Sequence, residues 1–360
     1  MQELNYTSKI LNPHFCDWID SYIREKPLYP KIIELDVTSN CMYTCPECIN
    51  SDLINKGGTF AEEKMDKLLR EFGMLGVIGI IFIGGGEPLL YKGFGNAMKL
   101  CNSLGIATGV TTNGFLICDY LDELAHYSSW TRVSVDAATS ATYDLIRPCK
   151  YPNAFGRVIC NMQMLAENKK GKLGFSFLAI EQQNGFTNIN EAFIAAKIAR
   201  DIGCDYFELK PMVDKFHFLY NYSESTKKAI LNTVEKLYEL ETETFHVIFP
   251  DSILKYKSET TYQPKSYKTC ATCDLRAVVT PHGVYPCPYK RGNDSARYGY
   301  LDSSFKALWD NKMVKVDPSK ECSFFCIRHD LNLFLELIKK DPMRYEAIKK
   351  CIVNSDDVFV

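Results

Sequence analysis

Between residues 32 and 211 the chain alternates two kinds of pattern, and this alternation limits its fold more than any other feature. Short runs rich in β-branched and apolar residues fall at 32–37, 77–83, 106–111, 131–136, 174–180 and 205–210. Stretches with apolar residues at helical spacing separate them, at 61–74, 93–104, 118–127, 154–169 and 187–202. Parallel strands need a crossover connection, usually a helix. The pattern therefore predicts an α/β fold with a parallel sheet, either doubly wound or six units of an open, partial barrel. Both forms place ligands at the carboxyl ends of the strands.

The loop after the first strand carries Cys41, Cys45 and Cys48, spaced C-x3-C-x2-C. Three thiolates on one short loop suit a soft centre: iron–sulfur, zinc or copper(I). Three is one fewer than a closed cluster site uses, so one metal position stays open for a ligand. A structural zinc site is the plainer alternative. After the second strand comes Gly84-Gly-Gly-Glu-Pro88, whose glycines let backbone approach a ligand closely. The third strand ends in Thr111-Thr-Asn-Gly114, a turn. The fourth ends in Val133-Ser-Val-Asp136, where alternation predicts that Ser134 and Asp136 share a face. Arg147 follows in Ala141–Pro148, and the sixth strand ends with Glu208 and Lys210 on one face. A solvated Arg147 and a solvated strand end are the plain readings of these last positions.

Fifteen cysteines in a chain without a recognisable export signal argue against a disulfide framework. Eight are grouped, which points to metal: 41, 45 and 48, then 270, 273 and 287, then 322 and 326. Cys16, Cys101, Cys118, Cys149, Cys160, Cys204 and Cys351 stand singly and read as small buried hydrophobes. Residues 277–280 and 284–285 predict a hairpin around Pro281-His-Gly283, flanked by cysteines, so a metal would staple an element too small to be stable alone. A formal net charge of −2 and the lack of a long apolar run give no sign of a nucleic-acid or membrane partner. A cytoplasmic location is expected.

The Cys41/Cys45/Cys48 spacing after a strand, followed by Gly-Gly-Glu one strand later, resembles the radical S-adenosylmethionine (SAM) superfamily. Residues 270–326, with Gly283 before Cys287 and the turn and short Leu-Trp helix of Tyr298–Trp309, resemble the SPASM or twitch-type auxiliary-cluster module of such enzymes. The resemblance implies a partial (β/α)6 TIM-like barrel over 32–215 and a small cysteine-rich auxiliary-cluster domain over 267–330. Residues 1–31 form an N-terminal extension, 216–266 a connecting helix and linker, and 331–360 a helical packing tail. It implies a [4Fe-4S] cluster on Cys41, Cys45 and Cys48 that binds and reductively cleaves SAM. Gly85, Gly86 and Glu87 would meet the SAM amino group, with Asn113 bordering the pocket. Ser134, Asp136, Arg147 and Lys210 are further SAM candidates, Lys210 and Glu208 being candidates for substrate as well. A second [4Fe-4S] cluster is expected on Cys270, Cys273, Cys287 and Cys326, with Cys322 as the alternate fourth ligand; zinc is the other reading of this site.

The expected activity is radical hydrogen abstraction from a small polar metabolite (a sugar, aminocyclitol or nucleotide-linked compound), for oxidation, epimerisation or deoxygenation. An epimerase would need a thiol donor, for which Cys149, Cys160 and Cys204 are candidates. Flavodoxin or ferredoxin would supply electrons. Modification of a peptide or protein side chain, as in peptide or sulfatase maturation, is the alternative, and the short stretch ahead of the first strand weighs against it. A zinc-stapled binding protein is the remote one.

Overall fold

The computed structural model describes residues 9–214, 222–249, 264–350 and 357–359. All six predicted runs are strands: β1 Ile32–Leu35, β2 Gly79–Phe82, β3 Ala107–Thr112, β4 Ser128–Ser134, β5 Lys172–Ala179 and β6 Tyr206–Pro211. They pair in parallel and in chain order. Helix α1 (Pro13–Ile23) precedes β1. The crossovers carry α2 (Glu62–Met74), α3 (Phe94–Ser103), α4 (Leu121–Tyr127), α5 (Ser140–Ile146), α6 (Ala154–Asn168) and α7 (Ala192–Asp201). This is the α/β partial barrel that the alternation predicts.

Alternation along each strand separates two environments. On β5 and β6, Phe175, Phe177, Phe207 and Leu209 pack outward into the core shared with the helices. Their neighbours Ser176, Glu208 and Lys210 take the inner face, where Ser176 pairs in register with Glu208 and Leu178 with Lys210. The amino-terminal end of the barrel is filled by a second apolar cluster. Ile32, Ala107 and Trp130 meet Phe15, Trp18 and Ile19 of α1, and Val358 and Phe359 from the end of the chain. The Trp130 and Phe359 rings pack edge to face with centroids 5.5 Å apart.

Beyond β6, α8 (Glu224–Leu237) begins at Ser223, whose Oγ accepts from Thr226 N at 3.2 Å. A short strand that sequence reading missed, β7 (His246–Ile248), extends the sheet beside β6. Helix α9 (Thr272–Leu275) leads into the predicted hairpin, β8 (Arg276–Thr280) and β9 (Gly283–Tyr285). The hairpin does not stand alone: β8 lies parallel to β1, from Ile32↔Arg276 to Leu35↔Val279. The sheet therefore runs β7-β6-β5-β4-β3-β2-β1-β8-β9. Strand β8 is thus paired with β1 as well as with β9, so the barrel sheet supports the hairpin. Then follow α10 (Phe305–Asp310), α11 (Pro318–Glu321), α12 (His329–Lys340) and α13 (Pro342–Lys349). Leu331, Leu335 and Ile338 of α12 join the barrel-base cluster, as their spacing predicts. Cys351 and the linker positions 258–263 lie outside the described residues.

Candidate functional site

The cysteine loop is fixed at several points. Ser39 N donates to Gly58 O at 2.9 Å, and Cys41 N donates to Asn55 Oδ1 at 2.9 Å. Tyr43, between the first two cysteines, is buried, and its hydroxyl meets that of Tyr143 on α5 at 3.0 Å. Thr44 N reaches Pro148 O at 3.0 Å. Cys41, Cys45 and Cys48 are half-buried. Burial pushes the Cys41 thiol up to about 12 and raises Cys45 against the pull of Arg147. Such thiols ionise when a metal coordinates them. Three soft donors on one anchored loop fit an iron–sulfur cluster.

The glycine segment is bound to this loop by backbone. Gly86 N donates to Thr38 O at 3.1 Å and Glu87 N to Asn40 O at 2.8 Å. A Cβ on Gly86 would lie 2.2 Å from Asn40 O, so only glycine permits the approach. A Cβ on Gly85 would meet nothing closer than Asp36 Oδ2 at 3.4 Å. Glu87 is buried and fastens two loops together. It accepts from Leu89 N at 3.1 Å, Thr112 Oγ1 at 2.5 Å and Asn113 N at 2.7 Å. Burial raises its carboxyl to about 7 against these bonds. Asn113 in turn donates to Met42 Sδ at 3.1 Å, tying the turn after β3 to the cysteine loop.

Strand β4 ends at Ser134, and Asp136 takes a left-handed backbone, φ 63°. The alternation predicted through Asp136 thus stops two residues earlier. Backbone strain of this kind is tolerated by Asp and gathers at functional sites. Asp136 Oδ1 accepts from Leu178 N at 2.7 Å, and Oδ2 pairs with both Nε (2.9 Å) and Nη2 of Arg147. Arg147 is not a solvated surface residue. Asp136 outweighs the effect of burial and raises its pKa, so the charge stays on, and its field reaches Cys45. Ser134 is half-buried on the inner face.

Below these loops lie ion pairs that sequence reading missed. Glu34 on β1 meets Arg276 at 2.7 Å and Arg328 at 2.8 Å, with Arg291 at 3.5 Å. Burial opposes its charge, but the three guanidiniums win and hold it at about 2. Asp36, two residues on, lies 3.0 Å from Arg291 Nε, and burial pushes it up to about 7. Across the barrel, Arg132 pairs with Glu208 at 3.1 Å and donates to Thr111 Oγ1 at 3.2 Å. Gly174 lies between their strands, and a Cβ there would strike the ring of Tyr206 at 2.0 Å. The only available signal was a charged residue inside an apolar strand, as in Ile32-Ile-Glu-Leu35.

The C-terminal cysteines come together. Cys270, Cys273 and Cys287 form a chain of thiol contacts, and Cys322 and Cys326 lie near enough to feel the charge of Cys270 and Cys287. Contact with Cys273, despite burial, lowers Cys270 to about 6. Thr272 Oγ1 and Asn332 Nδ2 approach Cys270 Sγ at 3.2 and 3.6 Å. This thiol-rich pocket, with hydrogen-bond donors at its sulfurs, fits a cluster. Among the described residues, no group of three or more Cys, His, Asp or Glu is arranged around a single ion.

The three candidate thiol donors separate. Cys149 pairs with Tyr43 in an isolated β-bridge, beside the cysteine loop. Cys160 is exposed on α6. Cys204 is buried just before β6, at the opposite end of the barrel from the loops.

Residues 35–179 match the sequence model of the Radical SAM superfamily. The PqqA peptide cyclase of Bradyrhizobium diazoefficiens is 31% identical over 98 residues, 27% of this chain and 26% of that protein. A probable GTP 3′,8-cyclase of Methanothermobacter thermautotrophicus is 29% identical over 116 residues, 32% of this chain and 38% of that protein. An S-adenosylmethionine-dependent nucleotide dehydratase of Lacinutrix mariniflava is 28% identical over 137 residues, 38% of this chain and 25% of that protein. The matches thus span about a quarter to two-fifths of these relatives. Streptococcus suis SuiB bound to precursor peptide SuiA superposes with a TM-score of 0.64 at 15% identity, over 91% of this chain and 76% of that one. Native anSMEcpe with bound AdoMet superposes with a TM-score of 0.61 at 17% identity, over 89% of this chain and all of that one. These likenesses establish a shared fold. No helix among the described residues is long and apolar enough to cross a membrane.

Proposed function

We propose that this chain, whose residues 35–179 match the Radical SAM superfamily, uses a [4Fe-4S] cluster and SAM to abstract hydrogen from a polar substrate held inside the barrel. The observation that carries this reading is the binding of the glycine segment and the Asn113 turn to the cysteine loop. Cys41, Cys45 and Cys48 hold the cluster. Gly85 and Gly86 offer backbone to the SAM methionine, and Glu87 and Asn113 hold that backbone in place. Arg147, oriented by Asp136, takes the SAM carboxylate, and Ser134 borders the ribose. When bound, the cluster supplies the electron that splits SAM into methionine and a 5′-deoxyadenosyl radical. Cys270, Cys273 and Cys287, with Cys326 or Cys322, hold an auxiliary cluster within the 267–330 module.

We assign a small polar metabolite as substrate, undergoing oxidation, epimerisation or deoxygenation, because the inner wall carries the charged Arg132, Glu208 and Lys210. For an epimerase the thiol donor would be Cys149, a reading supported by its β-bridge to Tyr43 in the cysteine loop. A flavodoxin or ferredoxin donates electrons in the cytoplasm. Peptide modification is the second reading, favoured by the 31% identity to PqqA peptide cyclase.

Iron and sulfide content after anaerobic reconstitution tests the proposal. Two cubanes give about eight iron per chain, and Cys41/Cys45/Cys48→Ala leaves about four. 5′-Deoxyadenosine forms with the wild type and not with the triple variant. Zinc without iron would overturn the reading.

A further inference from the structure

The inner wall near the mouth holds a charge that the surrounding side chains leave unbalanced. Arg132 is paired with Glu208, and Arg147 with Asp136. Lys210 feels all four of these groups, yet its ammonium makes no hydrogen bond or ion pair among the described residues. Three cations thus face two carboxylates. Thiolates do not make up the difference. No cysteine is among the groups acting on Lys210. A second group there is also unsatisfied. Ser176 Oγ is fully buried and has no hydrogen-bond partner among the described residues. Ser176 stands opposite Glu208 in register, so it is the diagonal neighbour of Lys210 on the inner face. A buried hydroxyl without a partner is unfavourable, and a ligand oxygen can satisfy it. SAM does not balance the wall, because its sulfonium and amino group outnumber its carboxylate.

We propose that Lys210 and Ser176 hold a compact oxyanion of the substrate, a carboxylate or a phosphate. The proposal rests on the reading of the barrel as a radical SAM site and names what its substrate must carry. Lys210 supplies the point charge and Ser176 a hydroxyl donor. The Arg132–Glu208 pair forms the floor beneath them and keeps Glu208 from neutralising Lys210.

Lysine footprinting tests it on the full-length reconstituted protein. The acetylation rate of Lys210 is followed by peptide mass spectrometry at fixed ionic strength, with sodium phosphate or sodium acetate replacing chloride. The exposed Lys320 serves as the control. The expected result is at least threefold slower labelling of Lys210 with one of these anions, no change at Lys320, and loss of most of that protection in Ser176→Ala. Protection by phosphate alone assigns a phosphorylated substrate, and protection by acetate a carboxylate. Equal rates in all three salts overturn the proposal, as does full protection by SAM alone. Iron content and 5′-deoxyadenosine formation, read on the same preparation, report separately on the radical SAM reading.

Discussion

Glu34 and Arg328 stand 294 positions apart in the chain and meet at 2.8 Å in its interior. One is on the first strand of the barrel. The other lies two residues after Cys326, where the thiol-rich module turns into α12. Arg276 joins them at the start of β8. A single carboxylate thus connects the barrel and the C-terminal module, and removing one side of a buried pair strands the other.

Glu34→Ala is expected to cost about 3–5 kcal/mol, the usual effect of leaving buried charge uncompensated. Urea denaturation of the protein without metal measures it. A cost below about 1 kcal/mol, the range of an exposed pair, would show that the guanidiniums find other partners.

The same residue sets an acid limit. Its carboxyl is held at about 2, below the ordinary 4.5. Its contribution is complete above about 4.5 and fades as pH falls toward 2, a change of roughly 3 kcal/mol. Asp36 acts with the opposite sign. Its carboxyl is raised from 3.8 to about 7, so it favours the folded state most below 3.8 and loses that effect as pH rises through 7. Stability measured against pH in Asp36→Asn should fall less between pH 4 and 7 than in the wild type.

Gly86→Ala and Gly85→Ala should differ sharply. At Gly86 the methyl meets backbone at 2.2 Å, so the glycine segment and the cysteine loop must separate. Loss of most reconstituted iron and at least a tenfold weaker affinity for SAM are expected. At Gly85 the nearest atom is 3.4 Å away, so the melting temperature should stay within a few degrees of wild type. Equal behaviour of the two variants in melting and iron content would refute this account.

Asp136→Asn and Asp136→Ala separate orientation from charge. Asn tolerates the left-handed backbone and can still accept from Leu178 N. Ala does neither and leaves Arg147 without its carboxylate. Equilibrium dialysis with SAM should show a moderate loss for Asn, and a loss at least tenfold larger for Ala together with a lower melting temperature.

Much of the barrel was legible because its signal is local. Each strand is a few apolar residues closed by a turn, and Gly84–Glu87, Asn113 and the cysteines mark the loops by residue type alone. What stayed hidden is non-local. Nothing in Arg276–Thr280 says that its partner is β1 rather than a second small sheet. Nothing in a lone arginine says which carboxylate it will find, so Arg147 and Asp136 read as two independent ligands instead of one clamp. Ser176, inside Phe175-Ser-Phe177, looked like an ordinary polar position until the register set it beside Glu208 and Lys210. The three thiol candidates were equal in sequence, and only the path of the chain put Cys149 beside the cysteine loop and Cys204 at the far end.

The ring of Phe359, seated on Trp130, brings residues from opposite ends of the numbering under the same strands. Trimming that ring would therefore loosen the foot of the barrel while leaving every loop at its mouth untouched in sequence.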